Sequence, residues 1–101
     1  MKVIKKLSGM IDDEIADVKK YSKCALMYMD EYPQLASDLH AISIDEAKHM
    51  EILHNDVAKI IKEYREKNGE PPASMLAVYE YLHDKHIDDF NEAKRYQDEY
   101  K

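Results

Sequence analysis

The chain has 101 residues, 45% apolar and 36% charged, enough for one core with long solvated faces and too little for two. Its net charge of -6 comes from acidic and basic residues mixed along the whole length, with no basic patch, so nucleic acid is not an expected partner. No apolar run approaches the roughly eighteen residues of a membrane span, Met1–Lys6 is too short and too charged for an export signal, and the single Cys24 suits a reducing compartment. The expectation is a cytoplasmic protein.

The 2 Gly and 3 Pro are too few for the many turns of a β-sandwich, and nearly all lie at two breaks. Tyr32-Pro33 is the first, because the residue before proline disfavours the helical region and Pro33 suits a first helical turn. Asn68-Gly69, followed by Glu70-Pro71-Pro72, is the second. The spacing predicts helices over 3–31, 33–67 and 72–100 within one domain spanning 1–101. In the first, Leu7, Ile11, Val18, Tyr21, Ala25, Tyr28 and Met29 share a stripe. Ser8-Gly9 could hold back its start, with Ser8 as N-cap and Asp12, Asp13 and Glu14 near the positive end of the dipole. In the second, the stripe is Leu39, Ile42, Met50, Leu53, Val57, Ile60, Ile61 and Tyr64. In the third it is Leu76, Tyr79, Leu82, Ile87, Phe90 and Ala93, with the residues from Gln97 onward expected to fray. Short connections between long helices predict an all-α, up-down-up bundle, with part of an apolar face left for self-association.

Some polar residues sit inside these stripes. Glu14 lies among Leu7, Ile11, Val18 and Tyr21; Glu46 lies among Ile42, Met50 and Leu53, with His49 one turn on. His83 lies among Leu76, Tyr79, Ile87 and Phe90, with Glu80 nearer the edge. A buried carboxylate needs a cation, a metal or a protonated neighbour, and no lysine or arginine lies mid-stripe on the first two helices. Counted from Tyr32, Glu14 is 18 residues back while Glu46 and His49 are 14 and 17 forward, so an antiparallel hairpin brings all three to one level. Counted from Gly69, His49 is 20 back but His83 only 14 and His86 only 17 forward, a poorer match. Glu-x-x-His occurs at Glu46/His49, Glu51/His54 and Glu80/His83, and this spacing puts both side chains on one helix face. The candidate metal ligands are Glu14, Glu46, His49 and His83. His86, His54 and His40 read as surface or boundary residues, and Cys24 has no histidine at helical distance to activate it.

Glu14 with Tyr21 seven residues later, and Asp45-Glu46-Ala47-Lys48-His49-Met50, resemble the first two helices of the ferritin-like superfamily, rubrerythrin-like proteins in particular, over roughly residues 10–65. The resemblance implies a carboxylate-bridged di-iron or related di-metal centre used for iron oxidation, oxygen activation or peroxide reduction. The family's bundle has four helices, with a second glutamate and a second Glu-x-x-His. This chain has one further helix, so either the site is smaller or a second subunit completes it. No rubredoxin-like cysteine set is present, so an electron-transfer partner would be separate.

A mixed oxygen and nitrogen donor set accommodates iron, manganese or zinc. Turnover as an oxidase or peroxidase does not follow from metal binding alone. The competing reading is a helical structural or interaction module whose polar core residues set registry.

Overall fold

In a computed structural model covering residues 1–101, the chain forms three helices and no strand: α1 Lys2–Tyr28, α2 Pro33–Asn68 and α3 Ala73–Glu99. Both breaks fall where the sequence places them. The Tyr32 N–H donates to the Tyr28 carbonyl at 2.8 Å, and Pro33 opens α2 at a position whose N–H would have no helical partner. Gly69 ends α2 with φ 75° and ψ -166°, a conformation open to glycine and strained for any residue with a Cβ, while its N–H donates to the Arg65 carbonyl at 3.0 Å. Pro72 then caps α3, its carbonyl accepting from the Met75 and Leu76 N–H groups.

The 36 residues of α2, at 1.5 Å each, run about 54 Å and set the long dimension of a 56 × 18 × 18 Å molecule. α1 packs against both other helices, whereas α2 and α3 hardly touch each other. α1 therefore buries the most: Ile4, Ser8, Ile11, Ile15, Val18, Ser22 and Ala25, an unbroken alternation of three- and four-residue steps. Ile11, Ile15 and Met50 form the centre of the core, with Leu53, Val57 and Phe90 against them.

Towards the other end of the bundle the seams narrow to Ala25, Ala36, Ser43 and Ala93, each at most 1% exposed, and small side chains there let the backbones approach. The hydroxyls of Ser22 and Ser43 are satisfied: Ser22 Oγ donates to the Lys19 carbonyl at 3.1 Å and Ser43 Oγ to the His40 carbonyl at 2.7 Å. Gln97 Nε2 donates to Ser43 Oγ at 3.2 Å, and Tyr100 stacks on His40 with ring centroids 4.3 Å apart, so the segment from Gln97 is held rather than frayed. Across α1 and α3 the partners are Met1 with Tyr79, Asp12 with His86 and Lys19 with Glu92.

Two further expectations are corrected. Ser8 is not an N-cap: α1 runs through Ser8-Gly9 from Lys2, because Ile4 and Ser8 are buried and that packing outweighs the roughly 1 kcal/mol a helical glycine costs. The buried face of α1 is also rotated from the expected stripe, since α1 must serve two neighbours. It keeps Ile11, Val18 and Ala25 but takes in Ile4, Ser8, Ile15 and Ser22, and moves Leu7, Glu14, Tyr21 and Tyr28 to its half-buried flank. On α2 and α3, Ile42 and Ile87, both expected inside, are exposed, along with Leu35 and Ile52 on α2 and Met10 on α1.

Candidate metal centre

Glu14 on α1 and Glu46 and His49 on α2 converge, each offering one ligand atom within 4.8 Å of the other two. His49 Nδ1 stands 3.7 Å from Glu14 Oε2 and 3.7 Å from Glu46 Oε2. These gaps are too long for hydrogen bonds, yet they match two donors on one ion at bonds of about 2.0–2.2 Å, which sit roughly 3–4 Å apart. The two carboxylates are mostly covered, with side chains 25% and 21% exposed, while His49, at 56%, stands at the mouth. The site is thus a half-buried groove between α1 and α2 rather than the dry interior that the centre-of-stripe positions suggested.

Electrostatics mark the same place. Glu14 is pushed up from 4.5 to about 7, first by the hydrogen bond a protonated Glu14 makes to Glu46, then by burial and by the Glu46 charge. His49 opposes the shift and Asp17 adds to it. As a carboxylate, Glu14 leaves its buried Oε2 without any hydrogen-bond partner. An anion in that position calls for a proton or a cation, and the donors around it are those of an oxygen-rich metal site. His49 in its protonated form is the one cation within reach, and it is itself a metal ligand when neutral.

His83 does not join this group. Its Nδ1 lies 3.0 Å from His54 Nε2, with the rings partly stacked. The register explains the placement: counted from Gly69, His83 is 14 residues forward and His54 is 15 back, so the two share a level and His49 lies farther along. Burial lowers the His54 pKa, as do the nearby His83 and His86. Sequence reasoning passed over His54, although that same count could have found it.

His86, expected at a boundary, is the buried histidine of α3 at 4% exposure. The buried residues of α3 are His86, Ala93 and Gln97, with Phe90 against the core, and His86 lies one turn along the helix from His83. His86 Nε2 lies 3.0 Å from Asp12 Oδ1 but off the line of a hydrogen bond. Lys85 reaches the same Asp12 oxygen and Asp89 Oδ2, each at 3.4 Å; Asp12 raises its pKa, with Asp89 contributing. Lys19 and Glu92 form the other α1–α3 ion pair, at 2.9 Å, and each stabilises the other's charged form. Glu80 is exposed, Asp17 is half-buried and near enough to Glu14 to raise its pKa, Tyr21 is half-buried, and Cys24 is a free, half-buried thiol.

No protein family matches the chain, and neither a curated protein nor a solved structure shows detectable similarity to it. The site's own chemistry is therefore the basis for a functional reading. No helix is long and apolar enough to cross a membrane.

Proposed function

We propose that this chain is a ferritin-like metal-binding protein in which Glu14, Glu46 and His49 hold iron, with manganese and zinc able to occupy the same donors, and in which two copies pair to complete the centre. The observation that carries the reading is the convergence of two carboxylates and an imidazole within 4.8 Å, one of the carboxylates having a buried oxygen without a partner. The cross-helix pairings, parallel in order between α1 and α3 and opposed between α2 and α3, support an up-down-up bundle.

Three protein donors on one face are half of what a four-helix carboxylate centre uses. That centre takes a glutamate from each of two helices and a Glu-x-x-His from each of the other two. Two copies related by a two-fold axis supply Glu14 twice and Glu46-x-x-His49 twice. The surface around the groove favours such pairing. Met10 lies one turn from Glu14, Ile42 one turn from Glu46, and Leu35 further along the same stripe; they are 44%, 39% and 44% exposed. A partner covering them would exclude water from the carboxylates and enclose His49.

If ferrous iron is bound, its oxidation by dioxygen or peroxide is the chemistry the centre supplies. Glu14 and Glu46 neutralise and orient the ion, and Glu14 gives up its proton on binding. The test is anaerobic titration of the metal-free protein with Fe2+, followed by exposure to oxygen. The parent is expected to bind the ion and to oxidise it faster than buffer does, and Glu46→Ala to do neither. Parent and variant indistinguishable from buffer would favour the second reading, a helical assembly module, which the exposed apolar residues also suit.

A further inference from the structure

The remaining two Glu-x-x-His pairs, Glu51/His54 and Glu80/His83, contribute their histidines to a different seam. His54 Nε2 on α2 and His83 Nδ1 on α3 are 3.0 Å apart, with ring centroids at 4.9 Å and planes 29° from parallel. They sit on the wall of a cleft of about 590 Å³ between all three helices, which Glu80 and His86 also line. α2 and α3 make so little other contact that this imidazole pair is one of the few bridges between them.

Two neutral imidazoles can share a single proton across such a gap, one N–H donating to the other's lone pair. A divalent ion can take the place of that proton. At metal–nitrogen bonds of about 2.0–2.1 Å, two imidazoles on a tetrahedral ion stand about 3.3 Å apart, so the existing gap needs to open by only about 0.3 Å. His83 is exposed and His54 half-buried, and a rotation about χ2, a broad torsion in histidine, would aim the lone pairs at one point. Glu80 is exposed and precedes His83 by three residues, on the same face of α3, within reach of the same ion after a rotamer change. The donor set differs from that of the Glu14 groove. Two nitrogens with one oxygen suit zinc, nickel or cobalt, whereas the carboxylate-dominated groove suits harder ions.

We propose that His54 and His83, with Glu80, form a second metal site that binds a zinc-class divalent ion and clips α2 to α3. The site does not depend on the Glu14, Glu46 and His49 reading, and its ligands come from the two helices that otherwise have least to hold them together. Binding there favours the docked position of α3, so the ion acts on stability rather than on redox chemistry.

The experiment titrates Zn2+ into the full chain carrying Glu46→Ala, which removes the first centre, while following side-chain 15N signals of the histidines and the thermal midpoint. The expected result is one ion per chain, movement of the His54 and His83 signals with His40 unchanged, and a raised Tm. Adding His83→Ala or His54→Ala to that background is expected to remove both the binding and the rise. Glu80→Ala is expected to weaken binding without abolishing it. Should Glu46→Ala fold poorly, His49→Ala serves in its place. The reciprocal variant, His83→Ala alone, is expected to keep the ion of the Glu14 groove. Failure of the Glu46→Ala chain to bind Zn2+, or binding unaltered by His83→Ala, overturns the proposal whatever the fate of the first centre.

Discussion

Glu14 links proton binding to the fold, and in the proposed centre it would link both to a metal. Its carboxyl titrates near 7 in the folded chain against an ordinary 4.5, so between those values the folded protein binds the extra proton. Stability from protonated Glu14 is fully present below about 4.5 and is lost as pH rises through about 7. The metal-free protein is therefore expected to unfold at progressively lower urea concentration from pH 4.5 to 7.5, with that part of the decline missing from Glu14→Gln. An identical pH profile in the two proteins would remove Glu14 from the account. Under the proposed function, metal binding is expected to run the other way, strengthening with pH up to about 7 as Glu14 loses its proton; affinities measured across that range check it. The trio was legible in the sequence because two carboxylates and a histidine fell at one level on either side of Tyr32-Pro33. His83 and His86 exchanged the places expected of them because the orientation of α3 depends on which helix it packs against, and periodicity alone does not say whether that is α1 or α2.

At the scale of elements, the helices were legible to within a few residues because both breaks rest on local backbone chemistry. Gly69 makes the second break, and at φ 75° and ψ -166° Gly69→Ala is expected to cost about 1–3 kcal/mol. No atom lies within 4 Å of where its Cβ would stand, so the cost is backbone strain alone, read as a lower urea midpoint at unchanged m-value. The narrow seam gives a second check. Ala93 is fully buried, and Ala93→Leu is expected to destabilise by about 1–3 kcal/mol through overpacking, measured in the same way. Ala25 and Ala93 fell on the expected stripes, but Ala36 and the buried Ser8, Ser22 and Ser43 could not be read from hydrophobicity, because small residues bury for reasons of space.

For the whole molecule, the elongated 56 × 18 × 18 Å shape, with few fully buried side chains and a row of exposed apolar ones, suits a half that pairs. Sedimentation velocity is expected to show a dimer for the metal-loaded protein and a shift towards monomer in Ile42→Glu, whose charge falls on the apolar rim one turn from Glu46. An Ile42→Glu protein that stays dimeric would place the interface elsewhere.

The most direct measurement is elemental analysis of protein purified without chelator from cells supplied with iron, manganese and zinc, beside Glu46→Ala and His49→Ala, all on a His83→Ala background so that the groove alone is counted. The account predicts about one ion per chain in the reference protein, as two copies sharing a two-ion centre require, and its loss in both variants. No metal in the reference protein, or the same metal content in all three, would contradict it.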